Sequence, residues 1–372
     1  MISSIPNDVL DLAVEIQQIP APTFHEASRA VFLRERFLSE GLQDVEIDEI
    51  GNVYARLPGG ASKPPIVVSA HTDTVFSEST SLSVDRTAER VTGPGIGDNS
   101  LGVAALFGLL WQLRDQSISL PGDLWFVANV GEEGLGDLRG MRAVVDRFAN
   151  HPLAYIILEG MALGQIYHRG LGVRRYRVQV RTAGGHSWVN YGSPSAVHEL
   201  ARLADSLLSL QLPSEPRSSL NIGVIAGGLS VNTIAAQAHM ELDLRSEDYY
   251  TLLGIVGKVE SLMRKFNRPG VSVSLKVIGD RPVGRIPADH PLVKLAYRSL
   301  IEQGLEPCLN IGSTDANIPL SKGFPAICLG ITRGNGAHTE REYIQIHPLS
   351  KGLRQVSAVV EGAFQELRPL QE

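Results

Sequence analysis

Five segments of this sequence each carry a side chain that favours a divalent cation. They are His71 in His71-Thr72-Asp73, Asp98 in Gly97-Asp98-Asn99, Glu133 in Gly131-Glu132-Glu133-Gly134, Glu159 in Glu159-Gly160, and His338 in Gly334-Asn335-Gly336-Ala337-His338. Singly, each has an ordinary explanation: a His-x-Asp is usually a capped turn, Asp98 would make a good helix N-cap, and paired glutamates are usually solvated. Their coincidence changes the reading, because acids gathered in one cleft without counter-charge repel, and a cation is the natural compensation. Two imidazoles and three carboxylates, with no thiolate, form a donor set suited to Zn²⁺, with Co²⁺ or Mn²⁺ as substitutes. Five ligands exceed one tetrahedral site. They suffice for two open sites if one carboxylate bridges, which also allows the metal spacing of about 3.5–4 Å found in two-metal centres.

The elements that must position these residues are legible in the apolar pattern. Runs at Val53–Leu57, Ile66–Ala70, Leu124–Val130, Ala154–Leu158 and Ala326–Leu329 predict strands, and Ile66–Ala70 is continuous enough to be buried on both faces. Helices are predicted at Asp8–Gln18, Glu26–Ser39, just after Asp98 to about Leu113, Leu138–Phe148, Pro291–Gln303 and about Ser350–Leu367. This alternation indicates an α/β layer around a mostly parallel sheet. Open sheets of that kind place ligands at the carboxyl ends of their strands, which is where the acids and His71 fall. Val173–Thr182 instead alternates apolar and polar residues, as a half-exposed antiparallel strand does. It is followed by a helix (Ser195–Leu210), two strands (Ser219–Ile225, Gln237–Leu244), a helix (Glu247–Lys265) and a strand (Val271–Val277), the split βαβ or ferredoxin-like order. Residues 173–282 therefore read as an α+β domain inserted into a discontinuous domain of residues 1–172 and 283–372.

Composition bounds the partners. The chain has 372 residues, 34 Lys plus Arg against 40 Asp plus Glu, a formal charge of −6, 43% hydrophobic and 20% charged residues. That is ordinary globular composition, and the length exceeds the roughly 250–300 residues at which single cores stop growing. No basic block marks a nucleic-acid partner. The longest stretch without a formal charge, Ser218–Met240, is broken throughout by polar residues, so no membrane span is expected. Met1–Leu10 lacks a basic n-region leading into an apolar segment, and the two cysteines, Cys308 and Cys328, are expected to be buried spacers in a reducing cytoplasm. The glycines of Gly93–Gly97 lack the residues that complete a phosphate loop or dinucleotide fingerprint.

Taken in order, His71-Thr72-Asp73-Thr74-Val75, Gly97-Asp98-Asn99, Gly131-Glu132-Glu133-Gly134, Glu159-Gly160, Gly184-Gly185-His186-Ser187, Asn232, Asp243-Leu244-Arg245, Ser313-Thr314-Asp315 and His338 give a specific resemblance over nearly the whole chain. The sequence resembles the di-zinc exopeptidases and deacylases that include carboxypeptidase G, aminoacylase, acetylornithine deacetylase, succinyl-diaminopimelate desuccinylase and peptidase T. The resemblance implies two Zn²⁺ ions bridged by Asp98, with His71 and Glu159 completing one site and Glu133 and His338 the other. It further implies that Asp73 orients His71, that the Asp98–Asn99 peptide is cis, and that Glu132, which has no ligand duty, is the general base. His186 is then expected to reach the substrate carbonyl oxygen, and Asn232 with Arg245 to bind a substrate carboxylate. The inserted domain is expected to act as a lid and to form a homodimer.

What the resemblance implies about activity is hydrolysis of an amide bond in a small peptide or N-acyl amino acid with a free carboxylate, as carboxypeptidases and deacylases perform it. Glu159 favours that class, because in the resembling family aminopeptidases tend to carry Asp there. The alternative is an aminopeptidase acting on di- or tripeptides, which the Gly131–Gly140 segment leaves open. A non-catalytic binding protein on the same scaffold would be expected to lack a ligand or Glu132, and none is missing.

Overall fold

The computed structural model describes residues 5–369. The chain separates into two compact units, one built from the chain up to Gly170 and again from Gly284, the other from Leu171–Val283.

In the first unit the continuous apolar runs become the parallel heart of a mixed nine-stranded sheet. Leu124–Asn129, Ile66–His71, Ala154–Glu159 and Ala326–Gly330 lie side by side in that order, all parallel. Ile66–His71 is buried at every position, as a strand covered on both faces must be. Antiparallel strands flank this heart: Val53–Leu57 and then Gln43–Ile47 on one side, Gln165–Gly170 and Gly284–Arg285 on the other, with Cys308–Gly312 running parallel to Gln165–Gly170. The helix Leu101–Asp115 is buried along most of its length, and the Phe107 ring stacks on Phe37 with centroids 4.6 Å apart.

The predicted elements of this unit form within a few residues of their expected ends. Gln43–Ile47, Gln165–Gly170 and Cys308–Gly312 were not expected, nor was a small sheet made from Asp85–Arg86, Arg90–Thr92, Gly334–Asn335 and Tyr343–Gln345. One packing expectation is corrected. Cys328 is buried in the central strand, but Cys308 is exposed on the peripheral one, where a thiol contributes nothing to the core.

The second unit is a four-stranded antiparallel sheet in the order Ser218–Gly227, Gln237–Ser246, Gly172–Thr182, Val271–Arg281, with the helices Ala196–Leu208 and Tyr249–Phe266 packed on it. Tyr176, Val178 and Val180 alternate inward with Met240, Leu242 and Leu244, which is the period-two pattern of one buried face. Tyr249–Phe266 supplies Leu252, Ile255, Val256, Val259 and Met263 at helical spacing, and its first turn is capped by Asp248 accepting from the Thr251 N–H at 2.8 Å.

Candidate functional site

The four parallel strands each end at a candidate ligand or lead into one. His71 is the last residue of Ile66–His71 and Glu159 the last of Ala154–Glu159, while Glu132 and Glu133 follow Leu124–Asn129 and His338 comes eight residues after Ala326–Gly330. Asp98 lies in a kinked, non-helical segment, with φ −115° and ψ 86°, just before the helix Leu101–Asp115, and the Asp98–Asn99 peptide is cis. The turn before Glu132 needs Gly131, whose φ is +68° and whose absent Cβ would sit 2.6 Å from the Arg139 side chain.

These residues form two groups sharing one member: His71, Asp98 and Glu159, and Asp98, Glu133 and His338, with the ligand atoms of each group within 4.8 Å of one another. Asp98 divides its carboxylate between them. Its Oδ1 is 3.1 Å from His71 Nε2, and its Oδ2 is 3.1 Å from His338 Nε2. His71 Nε2 is also 3.6 Å from Glu159 Oε2, and His338 Nε2 is 3.1 Å from Glu133 Oε1. Each group thus offers one imidazole and two carboxylates, a donor set that fits Zn²⁺, Co²⁺ or Mn²⁺.

The electrostatics point the same way. Burial pushes the Glu159 carboxyl up to about 7, with the neighbouring His71 pulling against it. Hydrogen bonds to Asp98 and Glu133 push His338 up to about 10. Burial would raise Asp98, but the His338 and His71 contacts hold it well below the usual carboxylate range. The two imidazoles are thus the positive partners of the acids, one to each oxygen of Asp98.

Asp73 lies beneath this cluster, wholly buried. The nearest oxygen to His71 Nδ1 is the Asp73 backbone carbonyl at 3.1 Å, with Asp73 Oδ1 at 3.5 Å. The Asp73 carboxylate also accepts from Glu132 N at 2.9 Å, Glu133 N at 3.0 Å and Thr23 Oγ1 at 2.8 Å. It braces the loop carrying Glu132 as well as the imidazole. Arg29, buried on the second helix, donates to Thr72 O at 2.6 Å and to Ile19 O at 2.7 Å from the same region. Asn99 clamps the Glu159 backbone from both sides, donating to Leu158 O at 2.9 Å and accepting from Gly160 N at 2.8 Å.

Glu342 escaped the sequence reading. It lies in the polar run Thr339-Glu340-Arg341-Glu342, which reads as solvated charge, yet it is fully buried and its carboxylate accepts backbone N–H bonds from the Asp98 turn. No sequence signal marks it.

The remaining expected residues lie in the second unit. Gly185–His186 pairs with Thr233–Ile234 as a two-residue ribbon, and Ser187 N donates to Asn232 O at 3.0 Å, so His186 and Asn232 are neighbours on an exposed segment. His186 Nδ1 accepts from Trp188 N at 3.2 Å and Val189 N at 3.4 Å. A nitrogen that accepts carries no proton, so the neutral ring is protonated at Nε2 and can donate from there. Arg245 lies on a different strand, opposite Val173, and its guanidinium is held by Asp243 at 2.6 and 3.2 Å.

Among the described residues, no helix is long and apolar enough to cross a membrane. Among curated proteins, the chain is 24% identical over 376 residues to the uncharacterised protein YqjE of Bacillus subtilis, covering 95% of this chain and 98% of that protein. It is 30% identical over 210 residues to a probable carboxypeptidase of Aspergillus terreus, covering 52% of this chain and 47% of that protein. Its fold is similar to the crystal structure of a tripeptidase from Staphylococcus aureus, with a TM-score of 0.82 at 21% identity, covering 97% of this chain and 99% of that one. Residues 67–362 match the description Peptidase family M20/M25/M40, a span that takes in every ligand-type residue of the site, and the chain belongs to that family of hydrolytic enzymes.

Proposed function

We propose that this chain is a dinuclear zinc amidohydrolase that cuts an amide bond beside a free carboxylate in a small peptide or N-acyl amino acid. The observation that carries the reading is the split Asp98 carboxylate, whose two oxygens face two different imidazoles, each shared with a second acid. Asp98, His71 and Glu159 would hold one cation, and Asp98, Glu133 and His338 the other. When bound, such a pair polarises a carbonyl and lowers the pKa of water from 15.7 toward about 7.

The chain's own residues supply the rest. Glu132 belongs to neither group, and its backbone is fixed by Asp73; the family resemblance makes its carboxylate the base that takes a proton from water and passes it to the leaving nitrogen. Asp73 holds His71 and the Glu132–Glu133 loop in one geometry. His186, donating from Nε2, stabilises the negative charge that develops on the carbonyl oxygen as water adds to the carbonyl carbon, before the C–N bond breaks. Asn232 and Arg245 recognise the carboxylate, Arg245 through its planar fork, which Asp243 pre-orients. Residues 173–282 are the lid that carries these groups and the surface through which two copies pair. The two unpaired thiols suit a reducing cytoplasm.

The carboxypeptidase or deacylase class rests on Glu159. The zinc-loaded protein should release the acyl group or the C-terminal residue from N-acetyl amino acids and short peptides, and should leave C-terminally amidated tripeptides intact. Release of the N-terminal residue from a C-terminally blocked tripeptide would replace this class with an aminopeptidase acting on di- or tripeptides.

A further inference from the structure

The two halves of the proposed cation site are built differently. His71 and Glu159 end adjacent central strands, and Asn99 pins the Glu159 backbone to the Asp98 turn. That half is part of the sheet. His338 instead sits on a loop, with φ of +65° and a half-exposed side chain, between the short strands Gly334–Asn335 and Tyr343–Gln345. What fastens this loop to Asp98 is Glu342, four residues after His338.

The fastening is specific. Glu342 Oε1 accepts from Gly97 N at 2.6 Å and Asp98 N at 2.7 Å, and Oε2 accepts from Gly95 N at 3.2 Å. Its own carbonyl accepts from Gly93 N at 2.8 Å. Both carboxylate oxygens face backbone N–H groups, so Glu342 belongs to neither ligand group; it is a clip between the segment bearing His338 and the segment bearing Asp98. The small sheet ties the loop to Arg90–Thr92, and the Glu342 side chain carries that tie on to the Asp98 backbone itself.

We propose that Glu342 is a positioning residue that makes Asp98 a shared ligand, so that occupancy of the Glu133–His338 half depends on it while the His71–Glu159 half does not. The inference rests on the two-cation reading above and adds to it an inequality between the two cations. Its chemistry also ranks the variants. A glutamine can still accept from Gly97 and Asp98 through its oxygen but turns an amide donor toward Gly95 N–H, whereas an alanine loses all three bonds.

The test is a Co²⁺ titration of metal-stripped wild type, Glu342→Gln, Glu342→Ala and, as a surface control, Glu340→Ala, following the visible d–d bands, with elemental analysis of each zinc-loaded protein after gel filtration. Wild type and Glu340→Ala should take up two equivalents. In Glu342→Gln the second equivalent should bind about 10-fold more weakly, and in Glu342→Ala about 100-fold more weakly, the range expected when a group supporting a metal ligand is lost. The first equivalent should keep its affinity within about threefold, which a general loss of structure would not allow. Should Glu342→Ala fail to fold, the Glu342→Gln titration decides alone. Two equivalents bound with unchanged affinities in the variants, or both weakened alike, would overturn the inference and leave the two-cation reading standing. A wild type that takes up fewer than two equivalents would sink both.

Discussion

The cation cluster of the first unit and the His186 segment of the second are opposite solutions to holding a functional side chain. In the cluster, His71 and Asp73 are almost fully buried, and Asp73, Asp98 and Glu133 are each tied to backbone or imidazole by contacts that bridge distant parts of the chain. In the segment, His186 and Asn232 are exposed on a two-residue ribbon, beside Trp188, Tyr191 and Val231, which are at least 85% exposed. Burial serves groups that must concentrate charge at fixed spacing, because a low dielectric strengthens each interaction. Exposure serves groups whose partner arrives from solution. The contrast teaches that geometry within the first unit fixes what can be bound there, while His186 and Asn232, under the proposed function, are completed only by a substrate.

Three substitutions probe that contrast. The largest effect is expected in the core: Glu132→Gln should retain two cations by elemental analysis yet lose on the order of 10²–10⁴-fold in kcat, the usual contribution of a positioned base. Near-normal turnover would remove Glu132 from its role. Next comes the exposed segment, where His186→Ala should lower kcat by about 10²–10³-fold while the metal content and the Co²⁺ spectrum stay as in wild type. A change in metal content would collapse the distinction between the two regions. The smallest effect belongs to Arg245→Ala, which should raise KM about tenfold for a substrate with a free carboxylate and leave KM unchanged for its amidated counterpart, since a charge-assisted hydrogen bond is worth about 1.5–3 kcal/mol and Asn232 remains. Equal KM changes for both substrates would make Arg245 a partner of Asp243 and nothing more.

Much of this was legible in the sequence because buried parallel strands advertise themselves as unbroken apolar runs, and Ile66–His71, Leu124–Asn129, Ala154–Glu159 and Ala326–Gly330 all do. Two of the ligands followed from the same strands, since Ile66–His71 ends at an imidazole and Ala154–Glu159 at a carboxylate, while Glu133 and His338 lie in the segments after the other two and Asp98 precedes a helix. The flanking strands Gln43–Ile47 and Cys308–Gly312 are short and exposed or half-buried throughout, so they carry no comparable signal. Glu342 and the Asn99 clamp were hidden for a different reason. Their partners lie 245 and 59 residues away in sequence respectively, and a polar residue gives no sign that the fold will bury it. Arg245 was read toward substrate, and its grip by Asp243 two residues earlier is the kind of local ion pair any strand-end arginine can make.

The clamp made by Asn99 has one further consequence. Gly102, in the first turn of the following helix, leaves so little room that an added Cβ would stand 2.0 Å from Asn99 Oδ1. A single methyl group there would evict the amide, release the strand end beneath Glu159, and so disable the enzyme from a position that bears no chemistry of its own.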